Sequence, residues 1–207
     1  MSVSADHFLL REPKQQRSRD LLDKLREATV VVAKDTGLRN LTTNHVAEEA
    51  KVDISSVYRF FPDKLALIGY TMDHWYADIR TVWDRYESEE AVLCLDWRDY
   101  FQAISNDWQS ESVGDYYTAL DKAEMMYPEL RDIEDRHLQY YVAFFVRQMK
   151  RFGAKGKKQD WENLAIYLYM IEDEIFSLRY RLSFSSLESS RALFLETMFF
   201  HIGKYLK

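Results

Sequence analysis

Glycine and proline are scarce in this chain, and their scarcity limits the folds that it can adopt. Only six glycines and three prolines occur in 207 residues. A fold with many short strands needs these residues at its frequent turns, whereas long helices do not. Leucine, alanine, glutamate, lysine, arginine and methionine, which favour helices, are plentiful. The sequence therefore predicts an all-α fold of about nine helices.

The sequence predicts neither a disulfide or cysteine-built metal site nor a membrane segment. The single cysteine, Cys94, excludes an intrachain disulfide and a cysteine-built zinc site. The first residues have no apolar core of signal-peptide length, and no apolar run approaches the roughly 18 residues of a membrane span. We therefore expect a cytoplasmic protein without membrane contact, whose core forms without a cofactor or metal ion.

Charge and aromatic residues are distributed unevenly along the chain. Residues 1–62 contain ten basic and nine acidic side chains, whereas the remainder contains eighteen basic and twenty-five acidic ones. The remainder also holds twenty-seven of the thirty-one aromatic residues. The net charge of -6 therefore lies in the second part, and two modules with different tasks are indicated.

The first part shows the signals of three short helices. Apolar residues recur at helical spacing from Ser18 until Gly37, which predicts the first helix. Thr42 stands at the N-cap position of a second helix, and Asp53 stands at the N-cap of a third. Pro62 ends the third helix. Residues 1–16 lack apolar periodicity and are interpreted as a mobile arm.

The second and third helices have the pattern of a helix-turn-helix. Val46, Ala50, Val52 and Val57 are apolar, and Ala47 is small where two short helices approach closely. In this motif the first helix braces the second, which presents its N-terminal residues to the DNA major groove. We therefore predict a DNA-binding domain over residues 17–62, followed by a helical domain over residues 63–207.

The side chains expected to contact DNA form two sets. Those at the start of the third helix face the bases, and they are Ile54, Ser55 and Ser56. Those whose hydroxyl or ammonium groups suit phosphate oxygens are Thr42, Thr43, Tyr58 and Lys64.

The segment LTTNHVAEEAKVDISSVYRFFPDKLALI closely resembles the DNA-binding part of the TetR (tetracycline-repressor) family of transcriptional regulators. The resemblance covers roughly residues 17–70 and implies that Thr42, Tyr58 and Lys64 touch phosphates, with residues 54–56 nearest the bases. Two positions depart from the family pattern. Lys51 occupies a turn position where glycine is frequent, and Asp53 stands where serine is frequent. A left-handed backbone at Lys51 is strained relative to glycine.

The resemblance also implies a homodimer that binds a near-palindromic operator and represses by obstruction. The last two helices form the dimer interface in that family, and here they carry apolar residues spaced by three and four. The predicted interface residues are Leu164, Leu168, Ile171, Ile175, Leu178, Leu195, Met198 and Ile202.

A small-molecule effector is the third expected partner, besides DNA and a second copy of the chain. The aromatic residues of the second part suit an apolar or aromatic molecule. The predicted pocket residues are Trp75, Trp108, His137, Tyr140 and Phe144. The acidic run Glu172, Asp173 and Glu174 is interpreted as a solvated helix face.

An enzymatic role is the weaker interpretation, because the sequence lacks the glycine-rich and metal-binding motifs of common enzyme classes. Glu134 and His137 have the i, i+3 spacing of di-iron carboxylate bundles, but that chemistry requires a second such pair. The alternative function is therefore a helical-bundle enzyme or binding protein with a metal or small-molecule site around these two residues. His137 is better explained as a core or pocket histidine.

Overall fold

The structure is a computed structural model that describes residues 8–110, 119–120, 123–178 and 183–206, without the side chains of 91, 93, 108–110, 176 and 184. Every regular element within these ranges is a helix, so the all-α prediction is confirmed. No helix in the described ranges is both long and apolar enough to cross a membrane. The chain divides into two compact units, Met1–Asp78 with Ser112–Glu134 and Ile79–Glu111 with Asp135–Lys207.

The described part of the chain contains ten α-helices and one 3₁₀ turn. In chain order they are α1 (Gln16–Thr36), α2 (Thr43–Glu49), α3 (Ile54–Tyr58), α4 (Lys64–Ser88), α5 (Glu90–Leu93), α6 (Trp97–Ser110), α7 (Ala123–Met126), a 3₁₀ turn (Pro128–Leu130), α8 (Arg131–Arg151), α9 (Lys158–Ser177) and α10 (Phe184–Gly203). The compact units divide within α4, at Asp78, rather than after Pro62. The functional division after Pro62 stays a prediction.

The first unit has the caps that the sequence predicts. Gly37 ends α1 with a φ of 75°, a conformation that glycine adopts without steric cost. The His45 amide donates to Thr42 Oγ1 at 3.2 Å, and the Ser55 amide donates to Asp53 Oδ1 at 2.8 Å. These bonds satisfy amides that have no partner within the first turn of a helix, so they fix where α2 and α3 begin.

Part of the predicted arm is bound to the first unit. The Leu10 amide donates to the Phe60 carbonyl at 2.8 Å, and Arg11 Nε donates to the Arg59 carbonyl at 3.1 Å. A Cβ atom on Gly69 would lie 2.6 Å from the ring of Phe8, so this approach requires glycine. Residues 8–11 are therefore held against the end of α3 and the start of α4.

The second unit contains two departures from the sequence-based boundaries. Ser185 and Glu188 have the spacing of a capping box, which predicts a helix that begins after Ser185. The N-cap of α10 is instead Ser183, whose hydroxyl accepts from the Ser186 amide at 3.3 Å, so this prediction is wrong. The short helix α5 lies where the sequence showed no helical signal. The sequence pattern also predicts a helix over residues 115–126 and places Leu182 at the end of the apolar spacing of α9; residues 115–118, 121–122 and 182 lie outside the described residues.

Candidate functional site

The helix pair α2 and α3 is held together by a small apolar core. Val46 and Val57 are fully buried, and Ala47 is buried at the position where the two helices approach. The Val52 amide donates to the Ala47 carbonyl at 3.0 Å across the turn. Lys51 adopts the left-handed conformation, with a φ of 55°, as expected for this turn position. The packing therefore has the arrangement of a helix-turn-helix.

The residues predicted to face DNA lie mainly on the accessible side of this pair. Ser55 is exposed, and Ile54 and Ser56 are partly exposed at the start of α3. The ring of Tyr58 is 50% exposed, and its hydroxyl lies 3.1 Å from the Thr43 hydroxyl. The two hydroxyls therefore form a pair at the surface, although Thr43 itself is mostly buried.

Lys64 makes contacts within the protein, besides the predicted contact with a DNA phosphate. Its Nζ atom donates to the Arg39 carbonyl at 3.1 Å and to the Leu41 carbonyl at 3.3 Å. It also lies 5.6 Å from the centre of the Tyr127 ring. Lys64 therefore braces the segment that precedes α2, and its contact with a phosphate stays a prediction.

Charged side chains lie beside both ends of α3. The guanidinium groups of Arg11 and Arg59 lie 5.8 and 5.3 Å from the centre of the Phe60 ring. Both side chains are exposed, so they add positive charge beside the end of α3. At its start, hydrogen bonds from Ser55 lower the pKa of Asp53 and keep this carboxyl ionised. Sequence reasoning overlooked Arg59 because no period or cap signal marks it.

A cavity lies within the second unit, between five helices. Its volume is about 30 Å³, and it is partly open to solvent. The lining residues are mostly aromatic and apolar, and they are Trp83, Phe101, Ile104, Ser105, Tyr141, Phe144, Phe145, Tyr169, Glu172, Asp173 and Met198. The rings of Trp83 and Tyr141 lie 5.3 Å apart, as do those of Tyr141 and Tyr169. These aromatic faces suit an apolar or aromatic ligand.

One end of this cavity is acidic. Ser105 Oγ donates to Glu172 Oε1 at 3.0 Å. Burial raises the pKa of Glu172 to about 7; the Ser105 hydrogen bond and Arg191 oppose this effect, and Asp173 adds to it. The interpretation of residues 172–174 as a solvated face is therefore wrong for Glu172 and Asp173, which line the cavity. Glu174 alone is exposed.

The five predicted pocket residues occupy different places. Phe144 lines the cavity. Trp75 is buried in the first unit, where its ring stacks on Tyr76. Trp108 belongs to α6, and its side chain lies outside the described residues.

His137 and Tyr140 lie beside the lining rather than in it. His137 is fully buried, and its ring stacks on that of Trp83 with centres 5.2 Å apart. Burial lowers the pKa of His137, so the ring is neutral near pH 7. The Tyr140 hydroxyl donates to Asp84, and its ring stacks on Trp83 at 6.0 Å. Both residues therefore pack against the ring of Trp83, and Trp83 lines the cavity.

The alternative site around Glu134 and His137 receives no support. Glu134 accepts a hydrogen bond from the Tyr76 hydroxyl in the first unit, whereas His137 packs on Trp83 in the second. In the described ranges no group of three or more histidine, cysteine, aspartate or glutamate side chains could hold a metal ion.

The residues predicted to form a dimer interface are divided between core and surface. Leu164, Leu168, Met198 and Ile202 are buried within the chain, so a partner cannot reach them. Ile171, Ile175, Leu178 and Leu195 are partly exposed. Among the described side chains of α9 and α10, the large apolar ones that are exposed are Ile166, Tyr167, Met170, Leu193 and Phe200. We call these five residues the exposed apolar face.

Comparison with known proteins agrees with this arrangement. Residues 25–71 match the sequence model of the tetR family of bacterial regulatory proteins. No curated protein sequence matches the chain. Among solved structures, a protein of Rhodococcus sp. assigned to the TetR family has 21% identity and a TM-score of 0.71, over 88% of this chain and 99% of that one.

Two further structures have the same fold. A TetR-family transcriptional regulator from Streptomyces coelicolor has 19% identity and a TM-score of 0.63, covering 92% of this chain and 100% of that one. The multidrug binding protein EbrR, complexed with imidazole, has 17% identity and a TM-score of 0.58, covering 88% of this chain and 95% of that one. At these identities the structural likeness shows the fold alone, whereas the match over residues 25–71 confirms the resemblance to the family.

Proposed function

We propose that this chain, a TetR-family transcriptional regulator and not an enzyme, is a repressor that binds a near-palindromic operator as a homodimer. The observation that carries the proposal is the helix pair α2 and α3. Its packing residues are buried, while Ser55 and Tyr58 remain accessible on α3. A short helix with its N-terminal side chains exposed fits the major groove of duplex DNA.

In this proposal the contacts to DNA have two roles. Ile54, Ser55 and Ser56 contact base edges, and the remaining residues contact phosphates, which position the protein without reading the sequence. The phosphate contacts are made by Thr42, Thr43, Tyr58 and Lys64. The exposed guanidinium groups of Arg11 and Arg59 add attraction to the phosphate backbone.

A homodimer is part of the mechanism, because two copies of α3 must reach successive major-groove faces about 34 Å apart. We place the interface on the exposed apolar face. The rings of Tyr167 on α9 and His201 on α10 lie 5.7 Å apart, so the exposed residues of the two helices adjoin. Such a surface is self-complementary when two copies pair through a twofold axis.

A small-molecule effector is the third element of the proposal. A ligand in the cavity of the second unit shifts the protein between states that bind the operator with different affinity. The coupling is reciprocal, so a ligand that weakens operator binding must itself bind the operator complex more weakly by the same factor.

Two substitutions in α3 test the proposed roles. Tyr58→Phe removes only the hydroxyl, and we expect the affinity for specific and for random duplex DNA to fall equally, by roughly threefold to tenfold. Ile54→Ala is expected to change the relative affinity for operator variants with base changes at single positions. Fluorescence anisotropy with labelled duplexes measures both effects. Equal affinities of both variants and the unmodified protein for all duplexes would contradict the assignment of α3 as the recognition helix.

A further inference from the structure

Glu172 makes the cavity of the second unit favour one class of ligand over others. Its carboxylate lies among aromatic rings and accepts a hydrogen bond from Ser105 at 3.0 Å. A carboxylate that a ligand can approach in such a site attracts a positive charge more strongly than it would in water.

Among the described residues, the charged side chains that line the cavity are acidic. Asp173 also lines the cavity, and no basic side chain lines it among the described residues. Arg191 of α10 interacts with Glu172, but its Nη1 atom is paired with Glu188 at 2.9 Å. An anionic ligand would therefore meet two carboxyl groups of like charge, whereas a cation would meet groups of opposite charge.

The walls of the cavity favour the same class of ligand. Trp83 from α4, Tyr141 from α8 and Tyr169 from α9 present aromatic rings, and they line the same cavity as Glu172. Aromatic faces attract cations, and tryptophan and tyrosine do so more strongly than phenylalanine. The apolar side chains Ile104, Phe145 and Met198 also line the cavity, and they suit the uncharged part of a ligand.

We propose that the cavity binds an organic cation, with an ammonium group beside Glu172 and an aromatic or apolar body among the rings of Trp83, Tyr141 and Tyr169. The proposal rests on the effector part of the proposed function and names the ligand class. Binding of such a ligand requires the ionised carboxylate, so a cation displaces the proton that Glu172 holds in slightly acidic solution.

Three probes of equal shape or length test the ligand class on the full chain. They are phenethyltrimethylammonium, its uncharged carbon isostere (3,3-dimethylbutyl)benzene, and the anion 3-phenylpropionate. Titration followed by tryptophan fluorescence is expected to show the cation binding at least about tenfold more tightly than the isostere at pH 8. Equal affinities, a preference for the uncharged or anionic probe, or no binding of the cation at millimolar concentration would overturn the proposal.

Variants at two acidic positions of α9 identify the responsible group. Glu172→Gln is expected to lower the affinity for the cation at least about tenfold while changing that for the isostere less than about threefold. Glu174→Gln makes the same change of charge at an exposed position of the same helix, and it is expected to leave both affinities unchanged. An equal loss of cation affinity in the two variants would show that the total charge of α9 attracts the cation, and not Glu172 itself.

The pH dependence of the cation affinity distinguishes a direct contact between Glu172 and the ligand from a purely structural role of Glu172. The quaternary ammonium probe does not titrate, so its affinity follows the ionised fraction of Glu172. Because the pKa of Glu172 is about 7, the affinity is expected to fall roughly tenfold between pH 8 and pH 6. Glu172→Gln abolishes this dependence. A dependence that persists in Glu172→Gln would overturn the proposal.

Duplex DNA binding by the unmodified protein without any probe is measured in parallel. Its absence would refute the proposed regulator while leaving the cation preference intact, because probe binding requires no DNA. Conversely, DNA binding together with a failed cation preference would refute the ligand class alone.

Discussion

Ser55→Glu is expected to lower the affinity for every duplex at least about 100-fold. Ser55 is exposed in the first turn of α3, where the proposal places it against base edges. A carboxylate at this position meets the negative potential of the groove and the phosphates, and like charges at an interface cost several kcal/mol. A cost of about 2.7 kcal/mol already corresponds to a factor of about 100.

Ser185→Glu is the matched control for this substitution. Ser185 is also exposed and is also the second residue of its helix, α10. Glutamate in a first helical turn is compatible with a stable helix, so neither variant should lose its fold. We expect Ser185→Glu to bind DNA as the unmodified protein does. Equal DNA affinity of the two variants in anisotropy titrations would remove α3 from the interface.

Met170→Asp is expected to dissociate the homodimer. Met170 is 65% exposed within the exposed apolar face, so a partner that covers this face would bury the new carboxylate without a counter-charge. Such burial costs several kcal/mol, and the dissociation constant of the dimer should rise at least about 100-fold. Sedimentation velocity over a range of concentrations measures this change directly.

Met125→Asp makes the same substitution at a position outside this face. Met125 is 74% exposed on α7, so its replacement changes the same side chain at similar exposure. We expect this variant to remain dimeric. A dimer that persists in Met170→Asp at micromolar concentration would place the interface elsewhere, and the operator geometry would then need a different assembly.

The DNA-binding half could be predicted from sequence because its signals are local. Thr42 and Asp53 cap helices that begin one residue later, and such bonds involve neighbours along the chain. The resemblance to the TetR family marks Lys51 as a turn position where glycine is frequent, and its φ of 55° is left-handed. A short helix pair with fixed caps leaves few choices for which residues face outward, so Ser55 and Tyr58 could be identified as accessible.

The helical remainder could be predicted only as a set of amphipathic helices. Periodicity shows that Leu168 and Ile202 belong to an apolar stripe, but it does not show whether the same chain or a partner covers the stripe. Both residues are fully buried within the chain. Exposed apolar residues such as Met170 and Phe200 stand outside the stripe, so the spacing did not identify them.

The cavity was also beyond the reach of sequence patterns, because it depends on where five helices converge. Glu172 looks like a solvated residue in an acidic run, and only the packing of α6 brings the Ser105 hydroxyl to it. The aromatic content of the second part predicts a pocket that suits an apolar or aromatic molecule. Of the five residues chosen, Phe144 lies in the lining, because ring content along a helix does not specify the direction of each side chain.

Selection of binding sites from a pool of random duplexes tests the central claim most directly. The unmodified protein is incubated with the pool, bound duplexes are amplified and sequenced, and the number of chains on one enriched duplex is measured by light scattering. For a dimer with two recognition helices we expect an inverted repeat whose half-sites lie about 34 Å apart, or a multiple of that distance, with at least two chains bound. Enrichment of no sequence, or of a single unrepeated half-site bound by one chain, would contradict it.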